Sequence, residues 1–192
     1  MIIPAFLLML AAAPSLAGAL ATSPAVPAHY APYAFLVGEW EVAPVGSPPQ
    51  AVTRVEWGPG RSCLRLGTNL LIGGREAPHF EGLLMWNGVR RDLDMLLSLD
   101  LAGGRIQEQG RVFVEPDGTV VRDVTAIYSE GTRSIGDNRT IGAEGGTAKF
   151  RQTFKRDGAD RILTTLMRHT ATGWVPSFPG SDRSVMTRRK PG

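Results

Sequence analysis

Between Arg91 and Leu101 the chain alternates with a period of two. Leu93, Met95, Leu97, Leu99 and Leu101 fall on one side, and Asp92, Asp94, Ser98 and Asp100 on the other, with Leu96 as the one apolar exception. A helix repeats every 3.6 residues and would mix these two sets on every face, whereas an extended strand separates them. The segment is therefore a strand with one dry and one wet side, the pattern of an antiparallel sheet that packs on one face. Ala102-Gly103-Gly104 then turns the chain.

The same grammar runs through residues 36–189. Arg105–Glu115 ends at Pro116-Asp117-Gly118, a hairpin signal, and Thr119–Tyr128 is rich in β-branched residues. Thr147–Lys155 places Ala148, Phe150, Gln152 and Phe154 on one face, and Asp157-Gly158 turns it into Arg161–Thr170. Asn87-Gly88 joins Phe80–Trp86 to the leucine-rich strand. Leu36–Ala43, Ala51–Trp57 and Arg61–Leu70 precede it, and Arg183–Arg189 closes the series. His29–Leu36 has room for one helical turn, as a plug. The fold class is all-β: an antiparallel up-and-down meander of nine or ten strands. A sheet this wide curls or closes because free edges are costly, so a closed barrel is expected, with a two-sheet sandwich as the competitor. Two stretches break the rhythm. Ser129–Gly146 is long and Gly-rich, either a lid or disordered, and Ala171–Asp182 carries Trp174 and Phe178 among Pro and Gly.

The first 21 residues have no charged side chain and run from an apolar stretch into Ala19-Leu20-Ala21. That is a signal-peptide h-region with a small-x-small cleavage site. Pro14 makes the run a poor spanning helix. The expected organisation is a signal peptide at 1–21, a flexible leader at 22–29 and one β-barrel domain at 30–190. The mature protein is then periplasmic or secreted, with no stable membrane insertion. The formal net charge of +3 is mild, and the 21 basic residues, of which only Lys149, Lys155 and Lys190 are lysines, are interleaved with acids along every strand. That describes a solvated exterior and excludes nucleic acid as the expected partner. The single cysteine, Cys63, rules out an intramolecular disulfide and reads as a small core residue. Arg61 and Arg65 flank it, the setting a reactive thiol would need. Nothing in the pattern fixes an oligomeric state.

Phe35-Leu36-Val37-Gly38-Glu39-Trp40-Glu41-Val42 opens the first strand with Gly-x-Trp. It resembles the start of lipocalins, fatty-acid-binding proteins and other calycin-type barrels. It also resembles exported bacterial proteins of uncharacterised role with a lipocalin-like domain. The latter likeness continues through Glu56-Trp57, Phe80-Glu81-Gly82, Met85-Trp86-Asn87, Asp117-Gly118-Thr119, Phe150–Phe154 and Gly173-Trp174. The resemblance implies that Trp40 is structural, closing the barrel base, and that Gly38 serves the same motif. It further implies a late Arg on the Trp40 ring, with Arg183 and Arg188 as the candidates. The long helix that follows the last lipocalin strand has no counterpart. Nitrobindins, barrels of the same kind with a late axial His, resemble this chain only in that His169 falls late, which makes His169 a weak haem candidate.

No nucleophile elbow, zinc-binding His-Glu-x-x-His or phosphate-binding loop is present, so no catalytic residue, metal or cofactor is expected. His29, His79 and His169 share no metal-ligand spacing. Polar residues on faces that otherwise read as buried are more telling. Gln152 lies between Phe150 and Phe154, Glu108 shares a face with Ile106, Val112 and Val114, and Arg122 with Val120, Val124 and Tyr128. Burying an unpaired polar group costs about 1–3 kcal/mol and a charge more, so three such residues point to a wet or ligand-filled lumen. A bulge that flips the faces is the alternative. The expected ligand site is then the lumen, lined by Leu93, Met95, Leu97, Phe150 and Phe154 with Glu108, Arg122 and Gln152 as polar anchors. Its guest would be a small apolar or amphipathic molecule. Two other readings use the same barrel: an enzyme with a Glu108–His169 or Glu81–His79 acid–base pair, and a packed, ligand-free envelope protein.

Overall fold

The computed structural model describes residues 25–101, 104–135 and 139–190. The expected signal segment lies outside them. Eleven strands follow a 3-10 helix at Ala28–Leu36: β1 (Gly38–Pro44), β2 (Ala51–Trp57), β3 (Cys63–Ile72), β4 (Arg75–Asn87), β5 (Asp92–Leu101), β6 (Gly104–Val114), β7 (Val120–Tyr128), β8 (Gly146–Arg156), β9 (Arg161–Thr170), β10 (Gly173–Pro176) and β11 (Ser184–Arg188). Each of β1 to β9 pairs antiparallel with the next. β11 joins β9 to β1 and closes a ten-stranded barrel. The meander is thus a calycin-like closed barrel rather than a sandwich.

The one strand outside the closed ring is β10. It pairs with the second half of β9 (Trp174 opposite His169), while β11 pairs with the first half (Ser184 opposite Thr164). Between them, the Ser177 N–H donates to the Leu166 carbonyl (3.1 Å) and the Leu166 N–H donates to Ser181 O (2.6 Å). β4 begins earlier than its apolar run, at Arg75. Gly73 and Gly74, with φ of 58° and 77°, make the tight turn that lets the Arg75–Pro78 stretch pair back onto β3.

One end of the barrel is plugged. The 3-10 helix crosses it and buries Tyr30, Tyr33 and Leu36. Two strands, β4 and β6, and the turn before β3 are stitched to that helix. The Tyr30 hydroxyl donates to the Ser62 carbonyl (2.8 Å) and accepts from the Trp86 N–H (2.9 Å), and the Tyr33 hydroxyl donates to the Val112 carbonyl (3.3 Å). Burial, with the negative charge of Asp92 second, pushes the Tyr33 phenol up to about 12, so it stays a donor at any physiological pH.

Trp40 sits beneath this plug, 1% exposed, and its indole N–H donates to the Leu36 carbonyl (2.8 Å). The Arg188 guanidinium lies 4.3 Å from the ring centroid and donates to the Val37 carbonyl (3.2 Å). Of the two candidate arginines, Arg188 therefore supplies the cation. Gly38 explains its own place in the motif. Its φ is 141°, and a Cβ there would overlap the Arg188 Nη1. Glycine is required so that the arginine can lie against the backbone and over the indole at once.

Cys63 corrects the sequence reading. Leu64, fully buried, sets the inward phase of β3, so Cys63 takes the opposite face and is half-buried against the Gly58 turn. The outer wall is charged, as expected of a solvated face. Arg54 bridges Glu39 (3.0 Å) and Glu76 (2.7 Å), and Arg189 reaches both acids (2.7 Å each). These hydrogen bonds hold the Glu76 carboxyl far below the ordinary range.

Candidate functional site

The inward faces do not fill the barrel. A cavity of about 390 Å³ remains above the plug, within the size range of small-molecule sites. Leu36, Val55, Leu64, Leu84 and Val112 form its floor. Leu66, Met95, Leu97, Leu99 and Phe154 line the walls. A second concavity, of about 620 Å³, lies on the outside of the wall between charged residues such as Arg54, Glu56, Arg65 and Glu81. It is a shallow exterior feature that brings no buried polar group to a point.

The three polar intrusions meet inside the lumen. Glu108 and Arg122 are 3% and 7% exposed, and the Arg122 Nη2 forms an ion pair with Glu108 Oε2. The other terminal nitrogen, Nη1, donates to Gln152 Oε1 (2.8 Å), and the Gln152 amide donates to the Thr164 hydroxyl (3.4 Å). The register explains the meeting. Arg122 on β7 stands directly opposite Gln152 on β8 and Val112 on β6, and its long side chain runs diagonally to Glu108, four residues further along the same inward face of β6. No bulge intervenes: the register shift within the ladders falls between Thr68 and Asn69, on the far side of the barrel. The faces read from the sequence are therefore the real ones. Among the described residues the buried Arg122 Nε has no hydrogen-bond partner. A guanidinium N–H in a water-poor wall with no acceptor is costly unless something else supplies one.

Other candidates are placed as follows. Met95, Leu97 and Phe154 line the cavity. Leu93 and Phe150 do not. Leu93 is fully buried at the plugged end, where the helix takes up the space. Phe150 belongs to the buried cluster with Val124, Ala126, Tyr128 and Ile141. His169 is exposed on the outer wall with its ring 5.1 Å from that of Trp174, and it is not part of the lumen. It can neither reach Glu108 nor ligate a haem held inside. Glu81 faces the exterior concavity while His79 lines the interior one, so that acid–base pair is not assembled either.

Several lining residues escaped the sequence reading. Thr53 and Thr68 face each other across β2 and β3, their hydroxyls 2.7 Å apart. His79 turns inward at the β3–β4 irregularity. Both irregular segments contribute to the wall. Ile135 comes from the β7–β8 connection, which also buries Thr132 and Ile141, and Phe178 and Ser181 come from the connection between β10 and β11. The described part of 129–146 is thus packed against the barrel: the Ser129 N–H and hydroxyl donate to the Arg105 carbonyl of β6 (3.2 and 3.0 Å), and the Ile141 N–H donates to the Thr132 carbonyl (2.9 Å) to close the connection on itself.

Burial lowers the His79 pKa, so the imidazole is neutral in the lumen at neutral pH. Unfolded, it takes up a proton near its ordinary value of 6.5, whereas folded it takes one up only at lower pH. The unfolded state therefore binds more protons in the window just below 6.5, and stability falls as the pH drops through it. The urea midpoint of the native protein is expected to fall more between pH 7.5 and 5.5 than that of His79→Gln. Equal falls would show that His79 does not titrate differently on folding.

The chain matches no protein-family model, and no curated protein is significantly similar to it.

Proposed function

We propose that this protein is an exported, lipocalin-like binding module that holds one small amphipathic molecule in its barrel. The observation that carries this reading is the pairing of an apolar cavity of about 390 Å³ with one buried polar cluster, Glu108–Arg122–Gln152, that still has a donor to satisfy. An apolar body would lie along Leu66, Met95, Leu97 and Leu99, with its polar end at Arg122. The apolar 21-residue N-terminal stretch supports delivery to the periplasm or beyond. A barrel meant only as a packed wall has no use for a hollow of this size around a buried ion pair, because voids and half-satisfied polar groups both cost stability.

Native mass spectrometry of protein purified from its own envelope fraction tests this. The expected spectrum shows the polypeptide plus one small molecule, released as the collision energy is raised. A bare polypeptide mass, under settings that retain an apolar probe added to the same sample, would overturn the reading.

A further inference from the structure

We infer that the polar end of the bound molecule is an uncharged oxygen acceptor, a ketone, ester or alcohol, and not a carboxylate or an amine. This rests on the lumen being the ligand site. The inference comes from charge accounting inside the cavity. The charged side chains that line it are Glu108 and Arg122, and they are already paired with each other. His79, the remaining titratable group on the wall, is held neutral by its burial. The side chains that line the cavity therefore sum to no net charge; Arg168, on the inward face of β9 beside Phe150, lies outside that lining.

A carboxylate entering beside Arg122 would have to share its one cation with Glu108. Two anions and one cation would then be confined where water is scarce, a net charge that a low-dielectric cavity penalises heavily. An ammonium would meet the mirror problem, since Glu108 is spent on Arg122. A neutral oxygen faces neither cost. It accepts from the Arg122 Nε–H, the donor for which the described residues provide no acceptor. A hydrogen bond to a charged donor favours that guest over a plain hydrocarbon. Glu108 thus acts as a specificity device: its charge lets the lumen keep an arginine while rejecting anions. The cavity is large enough for about a dozen non-hydrogen atoms, taking the roughly 30 Å³ share of a water molecule as the measure.

The test is displacement of a fluorescent apolar probe from the full-length mature protein at pH 7.5 by guests matched in size: 2-undecanone, decanoate, undecylamine and undecane. The ketone is expected to displace best, with decanoate, the amine and the hydrocarbon each weaker by about tenfold or more. In Glu108→Gln, which leaves an acceptor for Arg122 but removes the competing charge, decanoate should gain on the ketone by about tenfold. Decanoate equal to the ketone on the native protein overturns the uncharged-head inference while leaving the binding module intact. Undecane equal to the ketone overturns the role of the Arg122 Nε. If neither the probe nor any guest binds, the binding reading falls and this inference with it. Should Glu108→Gln fail to fold, the comparison on the native protein decides alone.

Discussion

Replacing Glu108 by leucine is expected to destabilise the protein by about 3–5 kcal/mol, the cost of stranding one partner of a buried ion pair. Glu108 is 3% exposed and its carboxylate lies against the Arg122 guanidinium, itself 7% exposed. Removing the acid leaves a cation in the wall with Gln152 as its remaining partner. The magnitude belongs to the stranded charge and not to lost packing, because leucine fills much the same volume. The companion Glu108→Leu/Arg122→Met variant should accordingly recover most of the loss, to within about 1 kcal/mol of the native protein. Urea unfolding of these two variants and of Arg122→Met alone checks this. A double variant as unstable as the sum of its single changes would mean the two side chains contribute independently.

Gly110→Ala is expected to cost about 2–3 kcal/mol, the high side of overpacking. Gly110 lies in the middle of β6, opposite Met95 on one side and Val124 on the other. A Cβ there would overlap the carbonyl oxygen of Asp123 and come within 2.7 Å of the Val124 Cα. Both obstacles are backbone, so no side chain can rotate to make room; the β6–β7 ladder itself has to move. Gly67→Ala is the matched control. It is also a strand glycine, but nothing lies within 4 Å of the position its Cβ would take, so its effect should stay within about 0.5 kcal/mol. Thermal or urea midpoints distinguish the two. Equal shifts would show that loss of strand flexibility, and not contact, governs both sites.

How far the chain could be read in advance follows from which signals are local. Strand identity is local, because Leu93, Met95, Leu97 and Leu99 declare their face by alternation alone, and all four are buried. Closure follows from strand number and the cost of edges. The inward positions of Glu108, Arg122 and Gln152 were legible for the same reason, but not their meeting, which depends on the register across three strands. β10 was missed because Gly173–Pro176 has four residues and ends in proline, too short to show a period. The start of β4 was missed because Arg75-Glu76-Ala77-Pro78 is largely exposed, shows no apolar alternation and ends in proline. His79 enters the lumen only because the ladder slips beside it, a feature whose one mark in the sequence is the neighbouring Pro78, since proline within a strand is confined to edges and bulges. Leu93 and Phe150 show the opposite limit. Alternation tells that a residue points inward, but not whether it meets a hollow or a neighbour at that height in the barrel.

The central claim, that the lumen takes up a small molecule, is tested most directly by filling it. Leu97 lies at mid-height on the cavity wall, opposite Glu108 on β6 and Gly82 on β4. In Leu97→Trp the larger side chain occupies the space where the guest's apolar body would lie. Titration with a fluorescent apolar probe should saturate at one probe per chain in the native protein. The variant should show no saturable uptake while keeping the native far-ultraviolet circular dichroism spectrum. Unchanged probe affinity and stoichiometry in the folded variant would contradict the account, because the probe would then be binding somewhere other than the lumen.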